Sequence, residues 1–205
     1  MLYEYLKSTF PPDTPIMTRD VSYSGSSPAY VAGQLARLAK EGKLKRYSRG
    51  IYFIPSPSPF KSGSTIPEGK ILEGLYLVED GRKIGYITGL GFANSMGITT
   101  QVPVVYELAS NKATRDVRSL KVGNKRIIVR KPRAEVTEEN WKILQVMDLI
   151  MNLEMFAEDG ELPAGKRILA YMRQMGISMG SMDEYLGDYP ERIYKNLYKA
   201  GLIHG

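Results

Sequence analysis

A cluster of basic residues that begins at position 43 could bind phosphate groups. Its cationic side chains are Lys43, Lys45, Arg46 and Arg49. Cations at this density favour a polyanionic partner, because each phosphate that they neutralise releases a condensed counterion. Two short apolar runs flank the turn of the cluster, where Gly50 suits the positive φ of a tight hairpin. We therefore predict a basic β-hairpin, with strands at 44–47 and 51–54, that contacts phosphates.

A helix with one free face is predicted immediately before this hairpin. Ser27 is a suitable N-cap, Pro28 suits the first helical position, and Gly42 is a suitable stop. At the helical period, one side of this helix is apolar: Val31, Leu35, Leu38 and Ala39. The opposite side is polar and basic: Ser26, Tyr30, Gly33, Arg37 and Lys40, with Gln34 on the flank. The apolar stripe would pack on the preceding helices, and the basic side would be free to enter a DNA groove.

These two elements define the predicted DNA-binding residues. They are Ser26, Ser27, Tyr30, Gln34, Arg37, Lys40, Lys43, Lys45, Arg46 and Arg49. Tyr30, Gln34 and Arg37 would lie nearest the base edges or phosphates of the major groove, and the hairpin would contact phosphates or the minor groove. A solvated hairpin on any protein surface gives the same local pattern. The position of this hairpin, directly after a basic helix face, favours DNA binding.

A second basic cluster lies between positions 121 and 133. Its cationic residues are Lys121, Lys125, Arg126, Arg130, Lys131 and Arg133. The apolar residues between them predict two strands joined by a turn at 123–124, which argues against a disordered basic tail. We consider these residues candidates for a secondary contact with DNA phosphates, with a solvated hairpin as the alternative.

The elements that position both clusters predict an α+β protein. A first helix at 2–9, one or two helical turns at 16–21, the helix at 28–41 and the basic hairpin predict a winged helix-turn-helix DNA-binding domain at 1–55. Alternating Pro and Ser residues predict a linker at 56–66. A small α+β domain would follow at 67–205, with a helical C-terminal extension from about 137.

The rest of the composition argues against catalysis. The chain has no cysteine, and its one histidine, His204, lies beside the C-terminus, so thiolate zinc sites and Ser-His-Asp chemistry are not expected. The glycine-containing segment 88–97 has Asn94 where a dinucleotide-binding motif requires a third glycine, and it lacks the ending of a P-loop. We therefore predict no catalytic residues, no metal site and no cofactor, and expect a protein that is not an enzyme.

The net charge of +6 is unevenly distributed along the chain. Residues 1–60 carry +4, residues 61–133 carry +7, and residues 134–205 carry −5. This distribution favours a polyanion-binding part joined to a part of another kind. No signal peptide or membrane-spanning segment is predicted, and we expect a cytoplasmic protein.

Two segments carry a resemblance to a known family. One is the hairpin region 42–52, and the other runs from 86–90 through 93–103, which ends in Gly-Ile-Thr-Thr-Gln-Val-Pro. In this order and spacing they resemble the AbiEi antitoxin and transcriptional-regulator family of bacterial abortive-infection (phage defence) systems, in particular its DUF6088 branch. The resemblance covers about residues 1–150 and leaves the acidic helical part at 138–205 without a counterpart.

The resemblance implies an N-terminal winged helix that represses its own antitoxin–toxin operon and a C-terminal antitoxin domain. The implied partners are the double-stranded DNA of the operator, bound by a monomer or a homo-oligomer, and a nucleotidyltransferase-like toxin. In such type IV toxin-antitoxin systems, neutralisation proceeds without a stable toxin–antitoxin complex. The acidic helical part could extend the antitoxin domain or mediate oligomerisation.

The leading hypothesis is therefore a DNA-binding autorepressor that also acts as an antitoxin. Two alternatives remain open: a DNA-binding regulator without antitoxin activity, and a protein-interaction module in which the winged helix is a scaffold. An enzyme is the weakest hypothesis, because the sequence has no cysteine, a single histidine at position 204 and no phosphate loop.

Overall fold

The computed structural model describes residues 1–59, 63–123 and 125–203 and has a mixed α+β fold, as the sequence predicted. The chain forms two compact units, Met1–Leu75 and Tyr76–Gly205. Within the described residues, no helix is long and apolar enough to cross a lipid bilayer.

In its described residues, the first unit combines three α-helices with a small sheet. Its elements are α1 (Leu2–Thr9), β1 (Ile16–Met17), a 3₁₀ turn (Thr18–Asp20), α2 (Pro28–Lys40), β2 (Lys45–Ser48), β3 (Ile51–Phe53) and α3 (Glu68–Leu72). The sheet order is β1-β3-β2, with both pairs antiparallel. The predicted α2 and hairpin are therefore present.

A buried apolar cluster holds α1, α2 and the sheet of this unit together. Leu6 of α1, Leu35 of α2 and Ile16 of β1 are all fully buried within it. The predicted stripe on α2 forms its buried side, since Val31 and Leu38 are also buried. Because the apolar side of α2 packs against this core, the opposite side of the helix is exposed to solvent.

One predicted element of this unit is confirmed only in part. Residues 16–21 were expected to form helical turns, but Ile16 and Met17 form strand β1, which pairs with Tyr52 and Ile51 of β3. Only Thr18–Asp20 is helical, as a single 3₁₀ turn. Strand pairing determines the backbone conformation here. Cross-strand hydrogen bonds stabilise a two-residue apolar segment between turns more than an isolated helical turn would.

The predicted Pro/Ser linker makes contacts inside the first unit. The Asp13 carboxylate accepts hydrogen bonds from the backbone N–H and the hydroxyl of Ser56, which lower the pKa of Asp13. Lys45 Nζ donates to the Ser64 carbonyl over 3.1 Å, and Ile66 is buried. Residues 60–62 of the predicted linker lie outside the described residues.

The second unit begins with short strands, continues with a four-stranded sheet and ends in helices. A π-helical turn, Glu73–Leu77, leads into it from the end of the first unit. Its strands and the helix among them are β4 (Val78–Glu79), β5 (Arg82–Lys83), β6 (Gly85–Thr88), α4 (Gly89–Ser95), β7 (Val105–Ser110), β8 (Val117–Val122) and β9 (Lys125–Arg130). The helices that follow are α5 (Trp141–Met151), α6 (Leu153–Phe156), α7 (Glu161–Met175), α8 (Met179–Leu186) and α9 (Arg192–Lys199).

The main sheet has the order β6-β7-β9-β8, and β7 and β9 are its parallel pair. Helix α5 lies at the centre of the core, because seven of its eleven residues are buried. One cluster joins Tyr86 of β6 and Met147 of α5 to Ile168 of α7 and Leu197 of α9. The sheet and the C-terminal helices therefore share a single core.

The contact between α7 and α9 depends on a glycine. A Cβ built on Gly165 would collide with the carbonyl oxygen of Ala200, a backbone atom that cannot easily move aside. By contrast, a Cβ on Gly180 of α8 would have its nearest neighbour, Ser178 Oγ, at 3.8 Å.

We predict that Gly165→Ala lowers the free energy of unfolding by about 1–3 kcal/mol, because it overpacks the helix contact. Gly180→Ala is the matched control and should leave the stability unchanged or raise it by up to about 1 kcal/mol, because alanine favours the helix. Urea denaturation followed by circular dichroism measures both. Equal stabilities of the two variants would contradict this close approach of α7 and α9.

Candidate nucleic-acid interface

The N-terminus of α2 is closed by the predicted cap. Ser27 Oγ accepts a hydrogen bond from the Tyr30 backbone N–H over 3.2 Å, and Pro28 occupies the first helical turn. The Ser27 oxygen is thus engaged within the helix, while its hydroxyl proton can still be donated outward. Ser26 is half-buried, and its backbone N–H donates to the Tyr23 carbonyl.

The side of α2 opposite the core is open to solvent. Tyr30 is 51% exposed, Arg37 and Lys40 are exposed, and Gln34 is half-buried.

Gly33 lies in the middle of the same face, and a Cβ placed there would meet no heavy atom within 4 Å. A glycine in the middle of a helix lowers the stability of the helix by about 1 kcal/mol relative to alanine. Gly33 has no close neighbour whose packing would require a glycine. It does permit close approach of a ligand to the backbone.

Acidic Glu41 lies between two of the predicted cations at the end of α2. Its carboxylate is 3.5 Å from Arg37 Nε and 2.9 Å from Lys43 Nζ. The hydrogen bond from Lys43 lowers the pKa of Glu41. Exposed ion pairs of this kind contribute little to stability, so a phosphate group can compete for both cations.

The hairpin places its turn at Arg49 and Gly50. Gly50 has φ +76°, and its carbonyl accepts hydrogen bonds from the backbone N–H and the hydroxyl of Thr18. Arg49 is exposed and, within the described part of the chain, has no carboxylate partner. Arg46 is exposed, and its Nε donates to the Ser48 carbonyl. The turn therefore presents two guanidinium groups to solvent.

Lys45 differs from the other predicted hairpin cations. It is half-buried, and its Nζ donates to the Ser64 carbonyl within the first unit. A Cβ on neighbouring Gly63 would collide with this ammonium group. The structure thus separates Lys45, which holds a loop, from exposed Arg46 and Arg49.

The second basic cluster lies on the β8–β9 hairpin and the segment that follows it. Lys121, Lys125 and Arg126 are exposed on this hairpin, as are Lys131 and Arg133 beyond it. Gly123 has φ +58°, whereas the predicted turn residue Asn124 lies outside the described residues. The predicted cluster did not include Arg118, although this residue is also an exposed cation on β8.

Like charges oppose each other across this hairpin. Lys121 of β8 lies directly opposite Arg126 of β9. The Arg126 Nε donates to Ser119 Oγ over 3.0 Å, and no carboxylate within the described residues pairs with either cation. Like charges that lie directly opposite each other destabilise an antiparallel pair, and a bound anion would remove this repulsion.

Arg130 and Arg133 each have a partner within the second unit. Arg130 is half-buried, and its Nε and Nη2 donate to Glu107 Oε2 over 3.0 and 2.9 Å. Arg133 donates to the Asp188 carbonyl and lies 5.0 Å from the centre of the Tyr189 ring. The predicted secondary cluster therefore contains exposed strand cations and two arginines with partners in the fold.

The Thr-Thr-Gln segment of the second unit is anchored by Glu158. The Glu158 carboxylate accepts hydrogen bonds from the Thr99 hydroxyl, the Thr100 backbone N–H (2.9 Å) and the Thr100 hydroxyl (3.0 Å). Sequence reasoning missed this contact because Glu158 lies 59 residues from Thr99. The anchored segment continues into Val102 and Val104, which are 78% and 84% exposed.

The described residues contain no group of three or more His, Asp or Glu side chains that could hold a metal ion. The protein thus has an α+β fold with exposed cations on α2, on the β2–β3 turn and on the β8–β9 hairpin.

A family model described as a family of unknown function, DUF6088, matches residues 12–157. The chain belongs to this family, and the predicted DUF6088 resemblance is confirmed to that extent. The wider relationship to AbiEi antitoxins stays a prediction. No curated protein matches the chain.

The Glu158 contacts generate a pH prediction. The hydrogen bond from Thr99 is the main reason that the pKa of Glu158 falls from 4.5 to about 2. A carboxyl group whose pKa is lowered by folding stabilises the fold above its unfolded pKa. This contribution is lost as pH falls from about 4.5 to about 2.

We predict that Thr99→Val raises the pKa of Glu158 toward 4.5, because the variant removes the hydrogen bond that lowers this pKa most. A carboxyl ¹³C NMR titration measures the change. Thr114→Val is the control, because Thr114 is exposed in the same unit and has no contact with Glu158. The same Glu158 pKa in Thr99→Val and in the control would contradict the anchoring role of Thr99.

Proposed function

We propose that this protein is a sequence-specific DNA-binding regulator whose first unit acts as a winged helix-turn-helix. Support comes from the order of its elements: α1, β1, a helical turn, α2 and then the β2–β3 hairpin. In this interpretation α2 is the recognition helix and the β2–β3 turn is the wing. The single 3₁₀ turn at Thr18–Asp20 takes the place of the second helix.

The observation that carries this proposal is a run of exposed cations with little acidic compensation. It extends from Arg37 and Lys40 on α2, through Lys43, to Arg46 and Arg49 on the hairpin. Glu41 is the acidic residue among them, and its ion pairs are exposed. Such a surface attracts a phosphate backbone and releases counterions on binding.

The dimensions of α2 suit a major groove. Its 13 residues span about 20 Å, and a helix with side chains has a diameter of about 10–12 Å. The major groove of B-DNA is about 12 Å wide. Tyr30, Gln34 and Arg37 follow one another at helical spacing on the open side and can reach base edges, where glutamine prefers adenine and arginine prefers guanine.

The β8–β9 hairpin is proposed as a second, sequence-independent phosphate contact. Lys121, Lys125 and Arg126 carry this role, because they are exposed and two of them oppose each other with like charge. Phosphate contacts of this kind increase affinity and add no direct sequence information.

We predict that Arg37→Ala combined with Arg49→Ala weakens operator binding by at least about tenfold. Each lost phosphate contact should also reduce the slope of log K against log salt by about 1. Gel shifts and fluorescence anisotropy with the DNA upstream of the gene, at several salt concentrations, provide the measurement. A scrambled fragment of the same length reports sequence-independent binding.

The matched control is Lys166→Ala combined with Arg173→Ala, which removes two exposed cations from α7. This control loses the same net charge and should keep wild-type affinity. Circular dichroism establishes that both double variants are folded. Unchanged binding by the Arg37 and Arg49 double variant, or equal losses in both double variants, would reject the assigned DNA surface.

Antitoxin activity is a further part of the proposal, and it rests on the AbiEi resemblance. The experiment is coexpression with a nucleotidyltransferase-like toxin of the kind that the resemblance implies, taken from a gene that adjoins this one. We predict growth rescue without copurification of the two proteins. The Arg37 and Arg49 double variant should still rescue growth when expressed from an unrelated promoter, because rescue does not require operator binding.

A protein-interaction module is the second candidate function. The observation that favours it is the exposure of Val102 and Val104 on the segment anchored by Glu158, since an exposed apolar patch often marks a contact site. Copurification of the toxin in stoichiometric amounts, together with no gel shift, would support this function over the first. In that case Val102→Asp combined with Val104→Asp should abolish copurification.

A further inference from the structure

The second unit contains a cleft of about 520 Å³ between its main sheet and its helices. The sheet contributes Thr88, Glu107 and Arg130, and the helices contribute Asp148, Asn152 and Arg192. Volumes of about 300–1,000 Å³ are typical of sites for small organic ligands. None of the roles proposed for the DNA surface uses this cleft.

The Asp148 carboxyl group is one of the polar groups that line the cleft. It accepts hydrogen bonds from the hydroxyl of Tyr86 (2.9 Å) and the hydroxyl of Tyr189 (3.1 Å). Burial raises the pKa of both tyrosines, which remain protonated donors, and burial also raises the pKa of Asp148. These two donors fix the carboxyl group in one orientation and leave it at the wall of the cleft.

The cations of the cleft exceed its carboxylates. Arg130 and Glu107 neutralise each other in a close pair. The remaining cations are Lys131, Arg133 and Arg192, and the remaining carboxyl groups are Asp116 and Asp148. The cleft therefore favours an anion over a divalent cation or an uncharged apolar molecule.

Arg192 is the cation best placed to receive a ligand. Its Nε contacts Met151 Sδ, and its Nη2 donates to Asn152 Oδ1, each over 3.3 Å. Within the described residues it has no carboxylate partner. A guanidinium group held only by neutral atoms can donate two parallel hydrogen bonds to a phosphate group.

An apolar wall lies on the helical side of the same cleft. It consists of Met151, Met155 and Phe156, and Met155 is 74% exposed. Methionine and phenylalanine form favourable contacts with planar rings. The cleft thus has three features. Cations lie at its rim, an apolar wall can contact a flat ring, and polar groups lie between them.

We propose that this cleft binds a nucleoside monophosphate. The phosphate group contacts Arg192 and Arg133, and the base lies against Met155 and Phe156. Asn152 and Asp148 accept hydrogen bonds from ribose hydroxyl or base amino groups. Each part of the ligand thus matches a group that the structure places in the cleft.

The test is isothermal titration calorimetry of the full-length protein with AMP, GMP, CMP and UMP. Adenosine and inorganic phosphate serve as the two halves of the ligand. At least one nucleotide should bind with a Kd below about 1 mM, and at least about tenfold more tightly than either half. Failure of all four nucleotides to bind would overturn the proposal.

The two half-ligands separate the alternatives. Adenosine that binds as tightly as AMP would show that the arginines do not recognise the phosphate. Inorganic phosphate that binds as tightly as AMP would show that the apolar wall does not recognise the base. Either result would overturn the nucleotide assignment.

Arg192→Ala should weaken binding of the best nucleotide by at least about tenfold, because it removes the charge-assisted hydrogen bonds. Arg192→Lys should recover part of this loss, since lysine keeps the charge without the planar fork. Arg173→Ala on α7 is the control for charge and should bind as the wild type does. Wild-type affinity of a folded Arg192→Ala variant would overturn the assignment of this residue.

Discussion

The pairing of β1 with β3 is the constraint on which the basic surface of the first unit depends. Ile16 and Met17 hold β3 by antiparallel pairing, and Thr18 donates two hydrogen bonds to the Gly50 carbonyl at the turn. The same segment contributes Ile16 to the core that buries the apolar side of α2. Because one short segment anchors both the turn and the core, Arg49 and the open side of α2 have defined positions. A basic hairpin without this anchor would present its cations in many orientations.

Electrostatics separates two kinds of basic residue that are indistinguishable in the sequence. Arg130 is engaged with Glu107, and Lys45 holds the Ser64 carbonyl, so their cations stabilise the fold. Lys121 and Arg126 instead oppose each other without a carboxylate partner among the described residues. This repulsion does not stabilise the fold, and a bound polyanion would remove it. This difference restricts the phosphate-binding proposal to exposed cations.

The elements predicted successfully from the sequence are those determined by nearby residues. Helix α2 was predictable because its cap at Ser27 and its apolar stripe lie within the helix or next to it. The β2–β3 hairpin was predictable because Gly50 lies in its own turn. Strand β1 was not, since its partner is more than 30 residues away along the chain. For the same reason neither the contact of Glu158 with Thr99 nor the arrangement of Asp148, Tyr86 and Tyr189 could be derived from local patterns.

The acidic C-terminal helices are part of the second unit's core and cannot be treated as a separate tail. The family match ends at residue 157, yet Glu158 anchors Thr99 and Thr100 inside the matched region. Helices α7 and α9 bury Ile168 and Leu197 in the cluster that contains Tyr86 of the sheet. Removal of these helices would expose the apolar surface of α5. It would also remove Arg192 from the cleft and the Tyr189 hydroxyl from the Asp148 carboxyl group. The core and the cleft of this unit therefore require residues beyond the matched span, which gives the acidic helices a structural role independent of any partner.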